Sequence, residues 1–273
     1  MHTTLSTRVY DFLHSYLQRY LFKQADTKKD LDIGIENGTK KYVLDERQLM
    51  LVVPGPTSVV YEAYIIAMID QLTREALAIE ESTLAINYVG CGNLCCAKNL
   101  CQDCSAQSEL LKETLALLAV TYRIDPTLTF DGMVGPVFAL ASRQLEGDHI
   151  FCTGGQNAHG FGAQCDCSKL LALVGKSMPI LKPLAISAIS VIVPLSSDQH
   201  QLAVLLAHYL QNKGCCVDVN FSDENMKETE AFQVRSLLFL GSKEQAQNTT
   251  VVKNLLTSQS HIVGHTEIAE RLR

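Results

Sequence analysis

Residues 151–163 have the sequence FCTGGQNAHGFGA, in which an apolar approach leads into closely spaced glycines. The glycines are Gly154, Gly155, Gly160 and Gly162. Glycine lets a backbone approach a ligand or another strand closely, and it tolerates positive φ. The residues between them are Gln156, Asn157, Ala158 and His159, which supply none of the carboxylates or guanidinium groups common beside ligand-binding glycines. The stretch therefore predicts a glycine-rich turn shaped like the floor of a site but lacking ionic groups.

Apolar periodicity around this stretch predicts a mixed α/β first part of the chain. Helices are predicted at 6–22, 57–76, 105–120 and 166–176. Strands are predicted at 48–53, 83–88, 121–124, 133–142 and 148–153. Polar residues at 23–41 predict irregular chain or a hairpin.

A second pattern begins after Pro179 and Pro183, which bracket a short linker. Strands are predicted at 189–195, 215–220, 236–240 and 248–252, and helices at 198–213, 223–232 and 266–272. Gly214 is a typical glycine at a helix C-terminus. Alternating strands and helices of this length predict a small α/β domain with a largely parallel sheet.

Composition excludes several classes of protein. The 273 residues are 47% hydrophobic, which supports globular cores. With 23 Lys+Arg against 29 Asp+Glu, the net charge is −6, so phosphate neutralisation cannot drive non-specific nucleic-acid binding. No signal peptide is visible, and the longest apolar stretch, 183–195, is too short to span a bilayer. We expect a soluble cytoplasmic protein with no membrane or DNA partner.

Five of the ten cysteines lie within 91–104. Two close pairs, Cys91 with Cys95 and Cys101 with Cys104, predict a zinc site of four thiolates, with Cys96 as a spare. The alternative is a set of small thiols that fill space in a shortened segment.

The most specific resemblance to a known protein family lies in the second part of the chain. The run from SVIVPLSSDQHQ at 190–201 through the KG turn, DENMK and LGSKE to NTTVVKNL at 248–255 resembles the anticodon-binding domain of class II aminoacyl-tRNA synthetases. The tail VVKNLLTSQSHIVGHTEIAERLR is similar to the end of bacterial histidyl-tRNA synthetases.

Upstream segments resemble the same family in the same order. LAINYVGC at 84–91 resembles the family's LEINSVGC, and YRIDPTL at 122–128 resembles YTVNPRL. CTGGQNAHG at 152–160 takes the place of the family's CAGGRYDG. The resemblance implies an α/β (α+β) chain in which a class II synthetase-like antiparallel-sheet remnant precedes an anticodon-binding-type α/β domain. The remnant covers 1–178, with a shortened Cys-rich insertion at 90–120, and the second domain covers 185–273.

The departures from the family pattern concern the phosphate-binding arginines. The motif 2 pattern F-R-x-E falls on Ile33–Glu36, so Gly34 replaces the arginine. The histidine loop R-G-L-D-Y-Y falls on TFDGMVGP at 129–136, without arginine or tyrosine, and the motif 3 arginine falls near Lys169. No segment resembles motif 1. The resemblance therefore implies a truncated, degenerate paralogue.

The resemblance also implies candidate site residues. The remnant pocket comprises Glu36, Gln48, Asp131, Gly154, Gly155, Gln156 and Lys169. The alternative for the glycines is a turn retained for sheet packing. The candidate RNA-binding residues are Asn225, Lys227 and Lys243. Against RNA binding, residues 185–273 hold seven Lys+Arg and nine Asp+Glu, a net charge of −2.

These observations lead to a hypothesis of a pseudoenzyme, a non-catalytic histidyl-tRNA synthetase-like protein that binds tRNA or a synthetase-like protein partner. The alternative is a divergent histidine–tRNA ligase that uses ATP and Mg²⁺, with Lys169 or Arg123 on the phosphates. Lower alternatives are a regulatory subunit and a zinc-organised interaction module. A homodimer of a type that does not use motif 1 stays open.

Overall fold

The computed structural model describes residues 4–27, 40–55, 57–92, 96, 99–147, 149–157, 160–177, 180–182, 188–221 and 234–272. The chain divides into two compact units. The first comprises residues 1–14 and 23–183, and the second comprises residues 15–22 and 184–273. An eight-stranded sheet organises the first unit and a five-stranded sheet organises the second.

The sheet of the first unit is antiparallel except at its two edges. Its strands are β1 Lys23–Gln24, β2 Lys41–Leu44, β3 Gln48–Pro54, β4 Ser82–Tyr88, β5 Tyr122–Ile124, β6 Val134–Ser142, β7 Ile150–Asn157 and β8 Gly160–Asp166. They are ordered β1-β2-β3-β8-β7-β6-β4-β5, with parallel pairs only at β1–β2 and β4–β5. The predicted antiparallel sheet is confirmed.

The helices before residue 180 are α1 Leu5–Arg19, α2 Val59–Gln71, α3 Gln102–Leu117 and α4 Cys167–Ser177. The Ser58 hydroxyl caps α2 by accepting a hydrogen bond from the amide of Tyr61 at 3.3 Å. A π-helical turn, Leu72–Ala76, extends α2. Residues 59–70 are buried on every side of α2. Such a helix belongs to the core, because an amphipathic surface helix would leave a polar face in water.

The predicted glycine-rich turn at 151–163 is wrong. Gly154, Gly155 and Gly162 lie within β7 and β8, where Gly154 pairs with Ala163 and Gly155 pairs with Gly162. Neighbouring strands on both sides satisfy their backbone groups, and this outweighs the weak strand propensity of glycine. His159 lies outside the described residues.

The second unit has a mixed sheet, so the prediction of a largely parallel one is wrong. Its strands are β9 Ile189–Pro194, β10 Val217–Val219, β11 Val234–Leu240, β12 Thr249–Asn254 and β13 Ser260–Gly264, in the order β10-β9-β11-β12-β13. The β10–β9 and β9–β11 pairs are parallel, and the β11–β12 and β12–β13 pairs are antiparallel.

Three helices of the second unit are described: α5 His200–Asn212, α6 Ser242–Gln247 and α7 Ile268–Leu272. A 3₁₀ turn, Ser197–Gln199, precedes α5, and Gly214 follows it with φ +83°, as predicted. The helix predicted at 223–232 lies outside the described residues. None of the described helices combines the length and the apolar character that crossing a bilayer requires.

Candidate functional site

One face of the β3–β8–β7–β6 region is a packed core. Phe138 lies opposite Gly154, and its ring stacks on Phe161 with centroids 6.1 Å apart. Both rings are wholly buried. A Cβ atom at position 154 would lie 2.5 Å from Phe138 Cζ and from the carbonyl oxygen of Gly162. Gly154, predicted in the remnant pocket, therefore leaves room for Phe138 in the packed core.

The opposite face, which we call the neutral face, consists of the alternate residues of β3, β7 and β8. Its members include Gln48, Met50, Thr153, Gly155 and Gln164. One carboxylate, that of Asp166, lies at its edge opposite Gln48, and the other members are uncharged. The Gln164 side-chain amide donates to Gln48 Oε1 at 3.3 Å, so these amides satisfy each other. None of the three described strands contains lysine or arginine.

Met133 covers the glycine of the neutral face. A Cβ atom at Gly155 would lie 2.7 Å from Met133 Sδ and 2.9 Å from the carbonyl oxygen of Pro136. Met133 belongs to the 129–136 segment, where the resemblance puts the histidine loop. Asp131 lies in the same segment and is exposed to solvent. The Met133 thioether therefore lies against Gly155 on the neutral face.

Gln156 lies near the end of β7, opposite Val134 at the start of β6. A Cβ atom at Gly135 would lie 2.6 Å from Gln156 Oε1, so this side chain rests against the backbone of Gly135. The Gly135 amide donates to the carbonyl of Gly90 at 2.7 Å. Gln156 is therefore close to the chain that leads from β4 to the cysteine cluster.

Lys169 is held at the other end of β7. Its Nζ donates to the carbonyl of Ile150 at 2.7 Å, and its backbone amide donates to Asp166 Oδ1 at 3.0 Å. Gly155 lies five residue steps along the extended strand from Ile150, or about 17 Å. The structure therefore does not bring Lys169 to the neutral face beside Gly155.

Arg123 is also far from the neutral face. It pairs with Asp125 at 3.0 Å and lies on the edge strand β5. Four steps in the strand order separate β5 from β8, or about 19 Å. Glu36 lies outside the described residues.

Glu62 is a buried carboxyl that sequence reasoning missed. It lies on α2 with 2% of its surface exposed, and the Thr57 hydroxyl donates to Glu62 Oε1 at 2.6 Å. Burial raises the pKa of Glu62 to about 7, and the hydrogen bond from Thr57 opposes the shift. A glutamate one turn into a helix looks ordinary in sequence. The apolar residues around it were the one sign in the sequence that Glu62 is buried.

The second feature of the first unit is a cluster of four cysteines, Cys91, Cys96, Cys101 and Cys104, which could hold a metal ion. Their sulfur atoms all lie within 4.8 Å of one another. The Cys91 and Cys96 sulfurs are 3.6 Å apart, and the Cys101 amide donates to Cys96 Sγ at 3.3 Å. That hydrogen bond is the main cause that lowers the pKa of Cys96 to about 6. Cys96, the predicted spare, belongs to the cluster, and Cys95 lies outside the described residues.

The candidate RNA-binding residues are only partly described. Lys243 is exposed in the first turn of α6, whereas Asn225 and Lys227 lie outside the described residues.

No family model matches the chain. A histidine–tRNA ligase from Rhodospirillum rubrum is 28% identical over 123 residues, which are 44% of this chain and 28% of the ligase. The chain therefore matches less than a third of that relative's length. The apo histidyl-tRNA synthetase of S. aureus has a TM-score of 0.54 at 16% identity, covering 98% of this chain and 95% of that one. The synthetase from Nostoc sp. PCC 7120 has a TM-score of 0.48 at 14% identity, covering 99% and 97%. The match to the R. rubrum ligase confirms the predicted resemblance, and the match to the S. aureus structure confirms the predicted class II synthetase fold.

Proposed function

We propose that this histidyl-tRNA synthetase-like chain binds tRNA and does not activate histidine. The observation that carries the proposal is the neutral face. It presents amides, a threonine, Gly155 beside Met133 and the carboxylate of Asp166, on strands without a cationic side chain. The predicted loss of phosphate-binding arginines agrees with this arrangement.

Adenylate formation requires fixed positive charge, because negative charge must be stabilised on the transferring phosphate. Removing one such group costs on the order of 10²–10³ in rate. A lysine supplies charge but not the bidentate fork of arginine. Lys169 binds a backbone carbonyl and Arg123 binds Asp125, so neither supports the divergent-ligase alternative.

Similarity to a histidine–tRNA ligase and the anticodon-binding-type pattern of residues 185–273 support tRNA as the ligand. Exposed Lys243 on α6 and exposed Arg235 on β11 are cations that could contact phosphates. The net charge of −2 over residues 185–273 restricts such binding to a few local contacts. We therefore expect the tRNA association constant to fall only shallowly with salt concentration. Each phosphate contact contributes about one unit to the slope of log K against log salt concentration.

The experiment measures tRNA binding and histidine charging on the same preparation. Filter retention of labelled tRNA, without formation of acid-precipitable histidyl-tRNA, is the expected result. Formation of histidyl-tRNA would overturn the non-catalytic proposal. Absence of tRNA retention, with co-purification of a synthetase subunit, would overturn tRNA as the ligand and favour the protein-partner alternative.

A further inference from the structure

We propose that Cys91, Cys96, Cys101 and Cys104 bind one Zn²⁺ ion as four thiolates, and that this ion fastens the connection between β4 and α3 to the start of β6. The proposal concerns this connection and is independent of the proposed function. It differs from the sequence prediction in its ligand set, because Cys96 takes the place of Cys95.

The sulfur positions are close to those that a tetrahedral ion requires. Zn–S bonds of about 2.3 Å place tetrahedral ligands about 3.8 Å from one another. The four sulfurs lie within 4.8 Å of one another, and the Cys91–Cys96 pair is already at 3.6 Å. All four cysteines are free of disulfides. Movements of well under an ångström per sulfur would complete the coordination.

Burial does not explain why these side chains come together. Cys91 is exposed, Cys96 and Cys101 are intermediate, and only Cys104 is buried. By contrast, Cys152 and Cys165 pair across β7 and β8 deep in the core, where cysteine behaves as a small apolar residue. Four thiols gathered near solvent have the donor chemistry of a zinc site.

The spacing also fits a zinc site. Four residues separate Cys91 from Cys96 and Cys96 from Cys101, and two separate Cys101 from Cys104. These intervals lie within the two to four residues typical of structural zinc ligands. Cys101 is the N-cap of the 16-residue helix α3, and Cys104 lies in its first turn. Two of the four candidate ligands therefore lie at the start of one helix.

The backbone before the cluster is built for close approach. Gly90 has φ +92° and Gly92 has φ +74°, conformations that side chains rarely adopt. A Cβ atom at Gly90 would lie 2.8 Å from Cys96 Cβ and 3.0 Å from Cys96 Sγ. Position 90 therefore requires glycine, because any side chain there would overlap Cys96.

The same backbone is joined to β6. The Val89 amide donates to the Gly135 carbonyl at 2.9 Å, and the Gly135 amide donates to the Gly90 carbonyl at 2.7 Å. The Gln156 side chain on β7 lies against Gly135, so this region also contacts β7. An ion held by Cys91, next to Gly90, would keep these hydrogen bonds in place.

The test begins with metal analysis of the full chain purified under reducing conditions without chelator. We expect one zinc per chain, and after exchange with Co²⁺ the absorption bands of a tetrahedral tetrathiolate cobalt site. A well-folded preparation that holds no zinc and gives no such bands with Co²⁺ would overturn the proposal. Disulfides among these cysteines that persist in reductant would also overturn it.

Variants decide the ligand set. We expect Cys96→Ser to lose the cobalt bands, whereas Cys95→Ser and the matched core control Cys152→Ala retain them. Loss in Cys95→Ser with retention in Cys96→Ser would contradict the ligand set. Asp103→Asn, which alters an exposed carboxylate between two ligands, is expected to retain the metal.

Hydrogen exchange tests the fastening role without any activity readout. Chelation of the metal is expected to speed amide exchange at Val89 and Gly135, while exchange in β12 stays unchanged. Loss of metal with unaltered exchange at Val89 and Gly135 would show that the ion does not fasten this connection to β6.

Discussion

Gly154 lies in the packed core of the first unit, opposite Phe138. We predict that Gly154→Ala lowers the free energy of unfolding by about 1–3 kcal/mol, because the added methyl group overlaps Phe138 and the Gly162 carbonyl. Urea unfolding of the first unit, followed by far-ultraviolet circular dichroism, measures the change.

Gly175→Ala is the matched control on α4, in the same unit. A Cβ atom there would meet Leu5 Cδ2 at 3.6 Å, an ordinary contact. Alanine within a helix is favoured over glycine, so we expect a gain of about 0.5–1 kcal/mol. Equal effects of the two substitutions would contradict the packing described around Phe138.

Glu62 makes the stability of the first unit depend on pH. Its pKa of about 7 in the folded state lies above the ordinary value of 4.5. The folded state therefore binds more protons than the unfolded state between these values, and stability falls as pH rises through that window. From pH 5 to pH 8 we expect a loss of about 2–3 kcal/mol that Glu62→Gln abolishes.

The measurement is the difference in urea unfolding between the chain and Glu62→Gln at each pH. Taking the difference removes the contribution of other groups, such as His200, whose pKa is lowered by burial. Glu113→Gln, an exposed position on α3, is the control and should leave the pH profile unchanged. A profile that Glu62→Gln does not alter would refute the assignment.

At the residue scale, the sequence predicted that cysteines gather near residues 91–104 but did not identify every member of the cluster. Cys95 and Cys96 are adjacent, and ligand spacing alone does not choose between them. Gly154 and Gly155 are also adjacent, yet strand alternation puts one in the core and the other on the neutral face. Such assignments depend on strand register, which needs the partner strands.

At the scale of the element, α4 is anchored to the sheet by Lys169. Its ammonium group donates to the Ile150 carbonyl from a half-buried position. We predict that Lys169→Ala destabilises the first unit by about 1–2 kcal/mol, since a charged donor is lost. Thermal or urea unfolding measures this change.

Lys176→Ala is the control on the same helix. Lys176 also donates to a backbone carbonyl, that of Gln144, but from an exposed position. We expect a change within about 0.5 kcal/mol for this variant. A loss of ATP binding in Lys169→Ala without loss of stability would contradict the anchoring role and favour the divergent-ligase alternative.

The long elements were predictable from periodicity, and the short ones were not. Helix α2 and strands β3 and β4 were predicted close to their bounds because apolar residues mark them. Strand β8 was missed because glycines interrupt its pattern, and β13 was missed because Ile262 on it faces solvent. The six-residue helix α6 has no buried residue, so it carries no apolar signal.

At the scale of the whole molecule, order of motifs predicted the class II synthetase fold that the structure shows. Periodicity alone would not have given the antiparallel order of the large sheet, because β3 pairs with β8 across more than 100 residues. The lack of lysine and arginine at 129–136 and 150–157 was predictable from the sequence. The contact of Met133 with Gly155 was not, since that contact depends on the path of the loop.

The charge of the second unit leads to a prediction about RNA. If Lys243 contacts a phosphate, Lys243→Glu should weaken tRNA binding several-fold and reduce the salt slope by about one unit. Lys112→Glu makes the same change of net charge on α3 of the first unit and should leave binding unaltered. Filter binding over a range of salt concentrations measures both, and equal effects would assign the loss to net charge alone.

Histidine-dependent exchange of pyrophosphate into ATP tests the absence of activation most directly, since it reports adenylate formation without tRNA. The chain, purified under reducing conditions without chelator and shown to be folded, is compared with an active histidyl-tRNA synthetase at equal concentration. We predict no exchange above the value without histidine. Exchange at a rate near that of the active enzyme would contradict the account, because the neutral face would then have to support phosphate chemistry.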